Sequence, residues 1–238
     1  MKKLEIILDK VEKFYHPKSV FLFGSRARGD YFAKSDYEIG VLFTKKNYIN
    51  ENEINNNIKP PSSIRVYPYE YERFIDGKIN IPFQVNIFLR EIIMTGITLR
   101  GEKIIEKIIP PLITVVDLME DLKFSEARSS DAIVSYCRGD KKIATLLFWK
   151  SCLFGTRDLI IFMLRKFPKS YLEIYKLSKK LNLKKEYKEV INSAYKVRIR
   201  EENSLNQNTL FKNISYLNKF IEEKIRLYYK KYGDRILI

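Results

Sequence analysis

The chain has 238 residues, enough for one large domain or two small ones, and its 45% hydrophobic and 31% charged side chains exclude a disordered or fibrous protein. A formal charge of +15 attracts phosphates, whether on nucleotides, nucleic acid or anionic lipid, and also serves solubility. The N-terminus has only Ile6, Ile7 and Leu8 as a consecutive apolar run, and nowhere does such a run approach about eighteen residues, which excludes a signal peptide and a membrane span and predicts a cytoplasmic chain with no membrane partner.

Residues 3–15 place Leu4, Ile7, Leu8, Val11 and Phe14 at three-to-four spacing, which predicts an amphipathic helix ended by His16-Pro17. His16 reads there as a cap or a solvated side chain. Residues 19–23 (SVFLF) are short, apolar and stopped by Gly24, a buried strand feeding a tight turn. A second strand is predicted over 37–43 (YEIGVLF), followed by an Asn-rich loop over 45–63 that ends in Pro60-Pro61. Alternation over 64–67 predicts a third strand with Arg65 and Tyr67 facing outward. PFQVNIFLREIIMTG reads as a helix capped by Gly96, and ITLRGE closes the segment.

Past Pro110-Pro111 helix formers dominate. The expected division is residues 1–104 and 105–238, with the boundary between 104 and 111. Residues 1–104 carry 17 basic and 13 acidic side chains, a net +4, and residues 105–238 carry 27 and 16, a net +11. Nucleic-acid binding by the second half and plain solvated lysine faces both account for that excess, since no arginine-rich run or RNA-binding motif accompanies it. Helices are predicted near 112–123, 125–138, 142–167, 170–198 and 209–229, an antiparallel bundle. The central one, 142–167, is apolar apart from an edge at Lys150, Arg157, Asp158 and Arg165. Trp149 reads as core, and Cys137 and Cys152, with apolar helical neighbours and no zinc or disulfide spacing, read as buried thiols.

Residues 20–43 hold the chemistry. A strand ends in Gly24-Ser25, and a second strand opens on Asp36-Tyr37-Glu38, so that the two acids share a face at roughly 7 Å along the strand. Carboxylates so placed can hold one or two Mg2+ ions together with nucleotide phosphates. Gly24 admits an anion close to the backbone, and Ser25 adds a hydroxyl donor beside amides at a helix start. Arg26 and Arg28 read either as phosphate clamps or as structural ion-pair partners.

The stretch GSRARGDYFAKSDYE resembles the signature of minimal nucleotidyltransferases in the DNA polymerase β superfamily, with Gly24, Ser25, Ala27, Arg28, Gly29, Ser35 and Asp36 in register. The resemblance covers roughly residues 1–104. It implies an α+β fold, a polymerase β-like domain with a small mixed sheet followed by an all-α antiparallel bundle. It implies transfer of a nucleoside monophosphate from a nucleoside triphosphate to an acceptor hydroxyl on a small molecule, protein or RNA, with pyrophosphate released. Asp36 and Glu38 would be the catalytic and metal-binding acids, Mg2+ the cofactor with Mn2+ as substitute, and Gly24, Ser25, Arg26, Arg28 and Ser35 the nucleotide-binding set. Glu38 stands where the family usually has Asp. No acid occupies the outward positions of the third strand, where such enzymes carry a third carboxylate; Asn86 is an uncharged second alignment, and Glu70 or Glu72 would have to reach back from the following turn. The alternative is therefore a catalytically weak or inactive nucleotide-binding, regulatory module of toxin–antitoxin type. The bundle resembles either that of the aminoglycoside nucleotidyltransferases, kanamycin nucleotidyltransferase among them, or a HEPN domain. Arg198 is followed at HEPN spacing by Asn203 rather than His, which argues against ribonuclease chemistry. A homo-oligomer stays open.

Overall fold

The computed structural model describes residues 2–33, 35–81, 84–200 and 208–238. The chain divides into two compact units, residues 1–111 and 112–238.

In the first unit, α1 (Lys2–Tyr15) buries Ile7, Leu8 and Val11 on one stripe. His16 ends it in the left-handed region at φ 46, its amide donating to the Glu12 carbonyl at 3.1 Å. Then follow β1 (Ser19–Phe23), the one-turn α2 (Gly24–Arg28), β2 (Tyr37–Phe43), α3 (Glu51–Ile58), β3 (Ile64–Glu70), α4 (Tyr71–Ile75), α5 (Val85–Thr95) and β4 (Ile97–Gly101). The sheet order is β3-β2-β1-β4. β1 is antiparallel to both neighbours, whereas β2 and β3 are parallel, so the link between them must cross over the sheet. That link is α3, where the sequence predicts only loop. Asn50 caps it by accepting from the Glu53 amide at 2.9 Å, and Ile54 and Ile58, four residues apart, are buried beneath it. Two buried isoleucines and a cap outweigh the poor helix propensity of Asn55, Asn56 and Asn57.

Strand alternation sorts the core. Val20, Ile39, Val41 and Val66 pack with α1 and α3 on one face. Phe21, Phe23, Leu42 and Tyr69 pack with Phe74, Leu89 and Ile92 on the other. Gly40 is needed on that second face, because a Cβ there would overlap the Phe21 ring. β3 runs through Pro68 to Glu70, past the predicted end at 67, which an edge strand tolerates because no neighbour requires its missing N–H.

The second unit is helical: α6 (Val115–Cys137), α7 (Lys141–Leu164), α8 (Tyr171–Ser178), α9 (Lys185–Arg200) and α10 (Asn208–Tyr232). The predicted pair at 112–123 and 125–138 is the single α6, opened by a capping box between Thr114 and Asp117. The predicted 170–198 helix is instead two, α8 and α9, split where Leu181 and Leu183 turn inward. Arg157 and Asp158, expected on a polar edge, are buried against Asp121 of α6. Beside them Ser151 Oγ and Asn218 Nδ2 both donate to the Ser125 carbonyl, at 2.5 and 3.2 Å. Trp149 and Cys152 are buried as predicted, but Cys137, at the last position of α6, is exposed. No helix among the described residues is long and apolar enough to cross a membrane.

Candidate nucleotide site

The site forms where β1 ends and β2 begins. Gly24 sits at φ 71, in the left-handed region that a side chain resists, and turns the chain directly into α2. Phe23 pairs with Glu38 across the sheet, which brings the second acid back beside the turn. The Glu38 carboxylate lies against Gly24 so closely that a Cβ at this position would overlap it. Bare backbone and carboxylate thus meet. The Ser25 hydroxyl has no hydrogen-bond partner among the described residues.

Burial raises the Glu38 carboxyl above the usual carboxylate range, with the Glu91 charge adding to the shift and Arg28 and Arg65 opposing it. Asp36 is more open, its side chain 31% exposed, and Arg65 Nε meets its Oδ2 at 2.9 Å. Arg65 also stands opposite Glu38 in the β2–β3 register. Tyr67, two residues on along the same face, and Asp36 together hold the Arg65 guanidinium above its ordinary value.

The other residues of the predicted nucleotide-binding set build the loop. Arg26 donates to the carbonyls of Ala33 (3.0 Å) and Ser35 (2.9 Å), with its guanidinium over the rings of Tyr31 and Tyr37. Arg28 pairs with Asp30 and with Glu91 of α5. Ser35 Oγ accepts from the Phe32 amide at 2.8 Å. These contacts tie Arg26, Arg28 and Ser35 to the chain ahead of β2, where Glu38 returns to Gly24.

Neither turn acid completes a carboxylate cluster. Glu70 pairs in register with Phe43, five residues along from the Glu38–Arg65 pair, a separation of roughly 16 Å at strand rise. Glu72 lies beyond it in α4 and is exposed. Asn86 is in α5. Among the described residues no three His, Cys, Asp or Glu side chains gather as metal ligands. Glu91, which the sequence analysis did not single out, is the acid that influences Glu38 most; its only signal is a lone carboxylate in the apolar VNIFLREIIMT. Also unforeseen is a hollow of about 440 Å³ beside Glu38, walled by Phe23, Tyr67, Tyr69 and Phe88 with Glu51 and Glu70 at its margin. Its lining comes from separate segments, so no sequence motif records it.

A Gly-Ser turn leaving a strand, acids opening the antiparallel neighbour and a parallel third strand at the edge fit a polymerase β-like nucleotidyltransferase fold. Residues 3–100 match the family model for polymerase beta nucleotidyltransferases, and the helical unit follows that match. Among solved structures it is similar to spectinomycin adenyltransferase AAD(9) from Enterococcus faecialis, determined with ATP and spectinomycin, at 18% identity and a TM-score of 0.56. That likeness covers 93% of this chain and 97% of the other, and it shows a shared fold. No curated protein matches the chain.

Proposed function

We propose that the first unit binds a nucleoside triphosphate at the Gly24–Ser25 turn and transfers its nucleoside monophosphate to an acceptor hydroxyl, releasing pyrophosphate. The observation that carries this is the Glu38 carboxylate seated against Gly24, with Asp36 two residues before it. The Ser25 hydroxyl is available to donate to a polyphosphate, which would meet the Glu38 carboxylate at Gly24 only through a cation between them. Asp36 and Glu38 would hold a divalent cation, which would supply the positive charge that positions the triphosphate. Arg26, Arg28 and Ser35 act by fixing the loop.

The donor set fits one divalent ion. Mg2+ is typically held by one or two carboxylates plus substrate phosphates, which is what Asp36 and Glu38 offer; Mn2+ would substitute. When bound, such an ion supplies charge neutralisation on the phosphates and polarises the oxygen that attacks. The donor set does not fit a second ion, because no third carboxylate joins the pair. The aromatic hollow beside Glu38 is the proposed entry for the acceptor, and the +11 excess of residues 105–238 leaves RNA among the acceptors to be tried.

Incubation with each labelled nucleoside triphosphate and Mg2+ or Mn2+ should release pyrophosphate, and Asp36→Ala should abolish the release. Triphosphate binding without any product over hours would favour instead a nucleotide-binding regulatory module of toxin–antitoxin type. The Arg65–Asp36 ion pair is the observation on that side, since it sets a fixed cation on one of the two acids. Absence of triphosphate binding would end both readings.

A further inference from the structure

We propose that Arg65 serves as the second cation of this site, so that the domain takes up a triphosphate with one divalent ion rather than two. This rests on the nucleotide-binding reading above and specifies how that site is charged.

Three observations converge. Arg65 stands opposite Glu38 in the parallel β2–β3 register, so its side chain leaves the edge strand on the face of the sheet that carries the acid pair. Its Nε meets Asp36 Oδ2 at 2.9 Å, an ion pair that draws the guanidinium to the first acid of the pair. No third acid joins the two carboxylates among the described residues.

Two-metal sites hold their ions about 4 Å apart, and the shared carboxylates there carry the charge of both. Here one carboxylate is already neutralised by a fixed positive charge, and a second divalent ion beside it would meet repulsion without a ligand to offset it. Arg65 is 62% exposed, so guanidinium N–H groups beyond the one facing Asp36 stay open to a phosphate oxygen. A planar guanidinium suits that task, presenting paired donors to two oxygens at once. Asp36 would then be a phosphate-positioning residue through Arg65 as well as a metal ligand.

The test is a Mn2+ titration of the full chain followed by electron paramagnetic resonance, with an α,β-methylene analogue of ATP at saturation. The native chain should bind one Mn2+, and Arg65→Glu, which restores a third carboxylate, should bind two, the second tightened at least about tenfold. Where Arg65→Glu does not fold by circular dichroism, Arg65→Gln replaces it; removing the positive charge should tighten Mn2+ at least about threefold, and unchanged affinity overturns the proposal. Arg65→Gln should also weaken the analogue measured by calorimetry in EDTA. Two Mn2+ ions on the native chain with the analogue bound would overturn the role of Arg65 alone. No analogue bound would overturn it together with the nucleotide site.

Discussion

Gly24→Ala and Gly29→Ala form a matched pair that isolates the contact on which the site depends. Both glycines have positive φ, 71 and 76, so alanine carries the same left-handed penalty at each, about 1–2 kcal/mol. The surroundings differ. A Cβ at Gly29 meets nothing within 4 Å, whereas at Gly24 it would overlap the Glu38 carboxylate. Displacing a half-buried side chain in this way adds about 1–3 kcal/mol, for a total of about 2–5 kcal/mol at Gly24. Urea denaturation of the two variants should therefore differ by at least about 1 kcal/mol. Triphosphate binding by calorimetry should fall at least about tenfold in Gly24→Ala and stay within about twofold in Gly29→Ala. In a Glu38→Ala background the extra cost at Gly24 should disappear, leaving only the backbone strain shared with Gly29. Equal costs at the two glycines, or a Gly24 penalty that persists without Glu38, would refute the seating of that carboxylate against the turn.

Other expectations test the helical unit. Burial raises the Glu126 carboxyl to about 7, with the Glu222 charge adding and Arg226 and Lys123 opposing. As pH rises the unfolded chain loses this proton first, so the stabilisation is full below about 4.5 and fades as pH passes 7. The residue is only half-buried, and solvent screening reduces the effect to about 1 kcal/mol. Glu126→Gln should flatten urea stability between pH 5 and 8, and parallel profiles for the two proteins would count against the Glu126–Glu222 pair. Asp121→Ala strands the buried Arg157 and should cost about 3–5 kcal/mol in the same assay. Asp158→Asn should cost less than Asp121→Ala, because burial, with the Asp121 charge adding, raises that carboxyl well above the usual carboxylate range and favours its neutral form. Comparable losses from the two substitutions would contradict this division of charge. Burial pushes the Cys152 thiol up to about 12, while Cys137 is exposed. Iodoacetamide at pH 8 should thus label Cys137 alone in the native protein, and labelling of Cys152 before unfolding would show that α7 is not packed as described.

What the sequence made legible follows the range of the signal. The strands over 19–23 and 37–43 and the Gly24–Ser25 turn could be read because each is announced within a few residues, by an apolar run and a glycine. Helix α3 could not, because its two isoleucines look isolated among asparagines until the parallel pairing of β2 with β3 demands a crossover between them. The split of 170–198 was hidden for a similar reason. Leu181 and Leu183 keep the pattern apolar through the break, and only their burial between α8 and α9 shows that the chain turns there. Arg157 and Asp158 misled in the opposite sense. Charges at seven-residue recurrence signal a wet edge unless another helix brings countercharge, and Asp121 lies 36 positions upstream.

The two departures from the superfamily pattern are linked by this geometry. Glu38 has one more methylene than the usual aspartate, and that length lets its carboxylate reach Gly24 from the start of β2. Arg65, at the position facing Glu38, pairs with Asp36. A shorter acid at 38 would leave the turn unfilled. A third acid at 65 would leave Asp36 without its countercharge and would crowd like charges around Glu38, whose proton affinity burial and Glu91 already raise. Glutamate at 38 and arginine at 65 therefore support each other: one carboxylate is seated against the Gly24 turn and the other is paired with a fixed cation. On the proposed reading the site would hold a polyphosphate with one metal ion, because the described residues offer no cluster of acids for a second.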